Sequence, residues 1–197
     1  MLTANSRLYM KILVIDNYDS FTYNLVYILR ELHDQVDIYR NDKISLEDVG
    51  AYDKILLSPG PGIPSEAGIL QDVVRTYGPS KSILGICLGH QGIGEVYGAE
   101  LENMTDVLHG ISDTAYVTDP EDRIFKGLPT EIKVGRYHSW TVIPETMQGD
   151  LKITAVDNQG RVMGLTHTKY DVKGLQFHPE SVLTEHGKDM LQNWLRI

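Results

Sequence analysis

The chain has a single cysteine, and the residues around it are typical of a nucleophile. Cys87 lies within Gly85-Ile-Cys-Leu-Gly89, between an apolar run at 82–86 and a segment expected to be helical through about residue 97. This is the Gly-x-nucleophile-x-Gly form of a nucleophile elbow, with cysteine in place of serine. A sharp turn from strand to helix requires small flanking residues, and a helix N-terminus favours a thiolate. A lone cysteine in an apolar strand can equally be a small buried hydrophobic residue, so both interpretations stay open.

A cysteine nucleophile needs a base and a group that orients the base, and His178-Pro-Glu180 could provide both. The three residues follow a predicted strand over 172–177. Side chains at positions i and i+2 of an extended chain point the same way, so Glu180 can reach the imidazole of His178. The proline between them keeps the backbone out of a helix. The same three residues could also form a turn with a solvated carboxylate.

A third segment, Ser58-Pro-Gly-Pro-Gly62, follows the predicted strand Lys54–Leu57. Glycines alternating with prolines make a stiff loop whose backbone amides can turn inward. The amide of Gly60 could then join the amide of Leu88 as a donor to an oxyanion. A plain turn has the same composition. The interpretation as an oxyanion-binding loop is favoured because the loop is expected at the same edge of the sheet as Cys87.

The elements that must position these residues alternate between strands and helices in the first half of the chain. Strand-like runs cover 11–16, 36–39, 54–57 and 82–86, and helix-like segments follow at about 19–32, with Asp19 or Ser20 as the cap, then 66–77 and 87–97. The second half has strand candidates at 114–117, 132–137, 152–156, 162–166 and 172–177, then a helix at about 185–195. These patterns predict one α/β domain over 10–197, a mostly parallel, helix-covered sheet with an antiparallel extension. Residues 1–9 are expected to be a flexible leader, and Met10 is a candidate for the native start.

Composition excludes several classes of function. The 197 residues include 18 Lys and Arg against 27 Asp and Glu, a net charge of −9, which argues against a general nucleic-acid backbone binder. No apolar run approaches the ~20 residues that a membrane-spanning helix needs. One cysteine excludes an internal disulfide and a thiolate metal cluster, and it fits a reducing, cytoplasmic setting. The seven histidines show no helical zinc-binding spacing, so no metal site is predicted.

Taken together, the motifs resemble those of the class I (triad) glutamine amidotransferases. The segments that carry this likeness are Gly85-Ile-Cys-Leu-Gly-His-Gln91, Phe177-His-Pro-Glu-Ser181 and Leu57-Ser-Pro-Gly-Pro-Gly62. Three more segments, Asp16-Asn-Tyr-Asp-Ser-Phe-Thr-Tyr-Asn-Leu25, Pro64-Ser-Glu-Ala-Gly68 and Arg136-Tyr-His-Ser139, resemble anthranilate synthase component II and the amidotransferase subunit of aminodeoxychorismate synthase. The likeness runs from Met10 to the C-terminus with the motifs in order. That ordered set is far more specific than any one motif.

The resemblance implies a role for each matching residue. Cys87 would be the nucleophile, His178 the base and acid, and Glu180 the residue that orients His178. The glutamine pocket would be lined by Gly60, Pro61, Gly62, Gln91, Ser139 and Trp140, with the backbone amides of Gly60 and Leu88 as the oxyanion hole. The thiolate would attack L-glutamine, ammonia would leave, and water would hydrolyse the glutamyl thioester. The family implies no cofactor in this chain, and Mg²⁺ would belong to the synthase partner.

The resemblance also implies a partner that takes up the ammonia. That partner would be a chorismate-using synthase subunit, either anthranilate synthase component I of tryptophan biosynthesis or aminodeoxychorismate synthase component I of the folate branch, or one chain could serve both. The sequence does not separate these, because glutamine cleavage is the same in each. Remote alternatives are a stand-alone cysteine hydrolase, in which segments 16–25 and 64–68 would have no obvious role, and an inactive regulatory chain, against which the intact Cys87, His178 and Glu180 argue.

Overall fold

The computed structural model describes residues 10–196, and for residues 105–109 it describes the backbone alone. The expected leader, residues 1–9, lies outside the described residues. The strands are Ile12–Asp16 (β1), Val36–Arg40 (β2), Lys54–Leu57 (β3), Ser82–Ile86 (β4), Leu101–Val117 (β5), Glu131–Val142 (β6), Leu151–Val156 (β7), Val162–His167 (β8) and Val172–Leu175 (β9). The α-helices are Thr22–Leu32 (α1), Leu46–Val49 (α2), Leu70–Tyr77 (α3), Leu88–Val96 (α4) and Gly187–Leu195 (α5), with short 3₁₀ helices at Pro64–Glu66 and Pro144–Thr146.

The nine strands of the described range form one sheet in the order β2-β1-β3-β4-β9-β8-β7-β5-β6. Strands β2, β1, β3, β4 and β9 pair in parallel, and the pairs from β9 to β6 are antiparallel. The predicted α/β domain, a parallel helix-covered sheet with an antiparallel extension, is thereby confirmed. Because the carboxyl ends of parallel strands meet at one edge, the segments after β1, β3, β4 and β9 must lie together.

The central strands are apolar on both faces because helices cover both faces. In β1, Ile12 and Val14 belong to a core that includes α1 and α5. Leu13 and Ile15 point the opposite way into a second core with α3 and α4. Alternation of side chains along a strand divides the apolar run between two cores, which is why it carries no polar face. Within residues 10–196, no helix is both long and apolar enough to cross a membrane.

Two helix starts differ from the sequence-based expectation. The first helix begins at Thr22 with Phe21 as the cap residue and no side-chain cap, so the expected capping by Asp19 or Ser20 is wrong. The Asp19 carboxylate instead accepts from the amide of Phe21 at 2.7 Å, in a turn that precedes the helix. The helix expected over 66–77 is split, because Gly68 has a φ of +54° between the 3₁₀ turn and α3.

The second half of the chain has longer strands than expected. The strand candidates at 114–117 and 132–137 are parts of β5 and β6, which form an antiparallel pair interrupted by register shifts. The segment 172–177 ends its pairing as a strand at Leu175, so the following residues are free to turn into the sheet edge. The short helix α2 was not predicted. It is capped by the Ser45 side chain, which accepts from the amide of Asp48.

Strand β4 and helix α4 approach each other through two glycines. A Cβ on Gly85 would lie 2.4 Å from the carbonyl carbon of Gly89. A Cβ on Gly89 would lie 2.4 Å from the carbonyl oxygen of Leu57 in β3. Both distances are well inside van der Waals contact, so only glycine lets the helix begin this close to the sheet.

We predict that Gly85→Ala lowers the free energy of unfolding by about 3 kcal/mol, because the methyl group must displace the backbone of α4. Gly98→Ala is the matched control. Gly98 has a φ of +91° and no atom within 4 Å of the added Cβ, so its substitution costs backbone strain of about 1 kcal/mol without a clash. Urea unfolding of both variants measures the difference, and equal losses would contradict the close approach at Gly85.

Candidate active site

The cysteine occupies a strained turn between β4 and α4. Cys87 has φ 52° and ψ −101°, close to the first central residue of a type II′ turn, a position that favours glycine. Its amide donates to the carbonyl of Leu175 at 2.8 Å, and its carbonyl accepts from the amide of Gln91 at 3.0 Å. The side chain lies at the N-terminus of α4, where amides without intrahelical partners favour a thiolate. The predicted elbow is present in the fold.

The structure brings His178 and Glu180 together, as the sequence predicted. Nδ1 of His178 lies 2.7 Å from Oε1 of Glu180, and both side chains are buried. The backbone turns here instead of continuing as a strand, and the amide of His178 donates to the carbonyl of Gly135 in β6. The backbone bond holds the main chain of His178 in place, and the contact of Nδ1 with Glu180 orients the ring so that Nε2 is left for the cysteine.

The charge state of His178 is set by its neighbours more than by its burial. Burial lowers the pKa of His178, but hydrogen bonding and charge interactions with Cys87 and Glu180 outweigh it and raise the pKa to about 10. Among residues 10–196, Nε2 of His178 makes no hydrogen bond, and the Cys87 sulfur is the neighbouring group whose interaction raises the pKa of the ring alongside Glu180. An imidazolium between a carboxylate and a thiolate keeps a cysteine nucleophilic at neutral pH.

A pocket of about 490 Å³ opens beside the sulfur and the imidazole. Its lining consists of Asp19, Ser20, Phe21, Pro59, Gly60, Cys87, Gly110, Tyr137 and His178. The rings of Phe21 and Tyr137 flank the imidazole, with centroids 6.2 and 4.9 Å from that of His178. The volume suits a small-molecule ligand.

The segment after β1 holds the loop after β3 in place. The backbone amide of Asn17 donates to the hydroxyl of Ser58 at 2.8 Å, and its side-chain amide donates to the carbonyl of Ser58 at 2.8 Å. A Cβ on Gly60 would lie 2.6 Å from the carbonyl of Asn17 and 2.8 Å from the Leu88 side chain. The loop is therefore packed against the elbow. Gly60 and Leu88, the two expected oxyanion donors, are neighbours.

This chain is similar to known proteins in both sequence and fold. A family model described as class-I glutamine amidotransferase matches residues 13–197. The chain belongs to this family. It is 41% identical to anthranilate synthase component 2 of Mycobacterium tuberculosis, over 94% of this chain and 82% of that protein. It is 40% identical to aminodeoxychorismate/anthranilate synthase component 2 of Bacillus subtilis, over 93% and 95% of the two chains.

A solved structure gives the same architecture. A Thermoplasma acidophilum protein provisionally assigned to GMP synthase superposes with a TM-score of 0.85 at 30% identity, covering 94% of this chain and 92% of its own. The resemblance expected from the motifs is confirmed, and the chain is a glutamine amidotransferase enzyme.

The other residues expected in the glutamine pocket of the amidotransferase lie outside the lining beside Cys87. Pro61 and Gly62 are exposed beyond Gly60, and Ser139 and Trp140 are partly exposed on β6. Gln91 is buried, and its side-chain amide donates to the carbonyl of Trp140 at 2.9 Å. Gln91 therefore ties α4 to β6 through the backbone of Trp140.

A buried polar chain supports the carbonyl of Trp140. Nδ1 of His138 lies 2.8 Å from this oxygen, and Nε2 of His138 accepts from Nε of Arg136 at 3.1 Å. Because Arg136 can only donate, His138 carries its proton on Nδ1 and donates it to Trp140. Arg136 in turn binds Asp113 at 2.6 Å and Asp157 at 2.7 Å. Burial and the charge of Arg136 lower the pKa of His138 to about 3, so its ring is neutral at neutral pH.

Sequence reasoning assigned no role to several residues of the site. Phe21 and its two predecessors line the pocket from the turn after β1, Tyr137 lines it from β6, and Gln176 donates to the Cys87 sulfur at 3.7 Å. Their position in the sequence could have indicated a place in the site for two of these groups. The turn after β1 directly follows one parallel strand and Gln176 directly follows another, and both strands end at the carboxyl edge of the sheet. Tyr137 had no such signal, because it lies within the antiparallel strand β6, which reaches the site through long-range contacts such as the pairing of Gly135 with His178.

We predict that His138 makes the amidotransferase less stable in acid. Its pKa is about 3 when folded against an ordinary value of 6.5, so the unfolded chain binds more protons between these values. The contribution of His138 to the free energy of unfolding therefore falls as the pH drops below 6.5, by up to about 1.4 kcal/mol per pH unit.

The variant His138→Gln keeps an amide donor near the carbonyl of Trp140 and removes the titration. Urea unfolding between about pH 7 and pH 4 should show a shallower decline of stability in the variant than in the parent. Parallel declines would show that His138 is not held neutral.

Proposed function

We propose that this amidotransferase is the glutamine-hydrolysing subunit of anthranilate synthase, which delivers ammonia to a chorismate-using synthase subunit of tryptophan biosynthesis. The observation that carries the chemistry is the meeting of Cys87 and His178 in the lining of one pocket, with the carboxylate of Glu180 bound to Nδ1 of His178. The similarity to anthranilate synthase component 2 supports the choice of pathway.

In the first half-reaction, the Cys87 thiolate attacks the side-chain amide carbon of L-glutamine. The backbone amides of Gly60 and Leu88 donate to the oxyanion, and each such donor stabilises the transition state by about 3 kcal/mol. The His178 imidazolium gives its Nε2 proton to the amide nitrogen, and ammonia leaves. A glutamyl thioester on Cys87 and a neutral imidazole remain.

In the second half-reaction, the neutral His178 takes a proton from water, and the hydroxide attacks the thioester carbon. The intermediate collapses and expels the thiolate beside the imidazolium, and the new carboxyl group gives its proton to water as glutamate leaves. Glu180 accepts from Nδ1 throughout, and thereby keeps one tautomer and stabilises the charged ring. The two steps need only side chains, amides and water, so we assign no cofactor to this chain and leave Mg²⁺ to the synthase partner.

The partner is proposed to dock over the mouth of the pocket. Phe21 lines the pocket and is 39% exposed, and Tyr18, Tyr23 and Tyr27 lie exposed on the same turn and on α1. Val182, which follows the His178 motif, is fully exposed. Exposed aromatic residues are typical of protein interfaces. A synthase placed here would receive ammonia before bulk water protonates it.

The second candidate is the amidotransferase of aminodeoxychorismate synthase in the folate branch, or a chain that serves both synthases. The name of the Bacillus subtilis relative includes both synthases, and this supports the hypothesis that one chain serves both. The glutamine chemistry would be identical, and the product would be set by the synthase to which the chain binds.

We predict that the purified chain forms a complex with anthranilate synthase component I and that this complex makes anthranilate from chorismate and glutamine. The test is to co-purify the chain with each candidate synthase and to identify the aminated product. Complex formation with aminodeoxychorismate synthase component I alone would replace the pathway assignment, and productive complexes with both would establish that one chain serves both synthases.

We predict that Cys87→Ser lowers glutamine-dependent synthesis by the complex at least about 1,000-fold, because the nucleophile of the first half-reaction, which is also the leaving group of the second, is lost. Ammonia-dependent synthesis by the same complex should be unchanged and is the internal control for folding and assembly. Normal glutamine turnover by the variant would exclude Cys87 as the nucleophile. A parent complex that uses ammonia but not glutamine would identify an inactive regulatory chain.

A further inference from the structure

A fully buried glutamine contacts the nucleophile directly. Gln176 lies just beyond β9, and none of its side chain is exposed. Its Nε2 donates to the Cys87 sulfur at 3.7 Å, and its Oε1 accepts from Nε2 of Gln91 at 3.2 Å. Because Gln91 donates to the oxygen, the nitrogen of Gln176 must face the sulfur. The carboxamide cannot flip without losing both interactions.

The side chain of Gln91 continues this chain to β6. Its Nε2 is shared between Oε1 of Gln176 and the carbonyl of Trp140, so both of its donor directions are used. The carbonyl of Trp140 is held in turn by His138, and that ring by Arg136. An uninterrupted series of buried polar contacts thus joins the sulfur to the Arg136 and Asp157 ion pair.

We infer that Gln176 is a positioning residue for Cys87, whose carboxamide holds the sulfur in one orientation and donates to it as a thiolate. The inference deepens the proposed function and rests on Cys87 being its nucleophile. A cysteine side chain has three staggered positions, and the attack on glutamine requires one of them. A fixed donor favours the orientation that it contacts and the ionised form of the sulfur.

The contribution of Gln176 differs in kind from that of His178. The imidazolium loses its proton in the first half-reaction and regains it in the second, so its attraction for the sulfur changes during turnover. A carboxamide does not titrate. Gln176 therefore keeps its donor in the same place when the thiolate is expelled from the thioester. The sulfur then contacts this donor in the orientation from which the next attack begins.

Two variants distinguish the role of Gln176 as a hydrogen-bond donor to the sulfur from a role in packing alone. Gln176→Met keeps the length of the side chain and removes the donor. Gln176→Glu keeps the shape but places a carboxylate beside the sulfur. The control is Gln71→Met on α3, because Gln71 also uses both ends of its amide, with Glu95 and Arg75, away from the site.

The pH dependence of Cys87 alkylation by iodoacetamide should report the loss of the donor without requiring turnover. We predict that Gln176→Met raises the apparent pKa of the thiol by about one unit and lowers kcat for glutamine in the synthase complex about tenfold, with a smaller change in KM. Gln176→Glu should shift both further in the same directions, and Gln71→Met should leave both unchanged.

The outcomes distinguish this inference from the proposed function. An alkylation profile and a kcat for Gln176→Met that match the parent would overturn the inference, as would a loss of thermal stability with unchanged pH dependence. If Gln176→Met does not fold, the profile of Gln176→Glu decides on the same criteria. A parent complex without glutamine turnover would reject the proposed function, whereas the alkylation profiles would still measure whether Gln176 stabilises the thiolate.

Discussion

The positive φ of Cys87 is the constraint on which the rest of the site depends. A non-glycine residue in this conformation costs on the order of 1–3 kcal/mol, so the surrounding structure must hold it there. The hydrogen bonds of its amide to Leu175 and of its carbonyl to Gln91 fix the residue from both sides. Gly85 and Gly89 allow the strand and the helix to approach closely enough for those bonds to form. The backbone of Cys87 is strained because the turn holds its sulfur at the edge of the sheet.

The parallel half of the sheet supplies the neighbours of that sulfur. Strands β3 and β9 lie directly beside β4, so the loop at Gly60 and the segment 176–178 emerge next to Cys87. The antiparallel half contributes through β6, where Gly135 pairs with His178 and the carbonyl of Trp140 accepts from Gln91, and these contacts bring the polar chain of β6 behind the site. The same sheet therefore provides the reacting groups from its parallel strands and their rigid support from its extension.

The parts of this arrangement that sequence could predict are those encoded locally. The buried strands of the first half, the elbow at Cys87 and the contact of Glu180 with His178 depend on residues close together in the chain. The lining by Phe21 and Tyr137 and the contact of Gln176 with Cys87 depend on strand order, and the last of these joins residues 89 positions apart. The missed helix start at Thr22 has a local cause, since the carboxylate of Asp19 is used in the preceding turn.

Two buried histidines of the site show that burial alone does not decide whether a ring is charged. His178 binds a carboxylate and interacts with the cysteine, and its pKa is raised to about 10 in spite of its burial. His138 accepts from Arg136, and burial together with that positive charge lowers its pKa to about 3. At neutral pH His178 is therefore charged and His138 is neutral. The neutral ring donates to the carbonyl of Trp140, so one histidine carries a proton beside the cysteine while the other supports the backbone of β6.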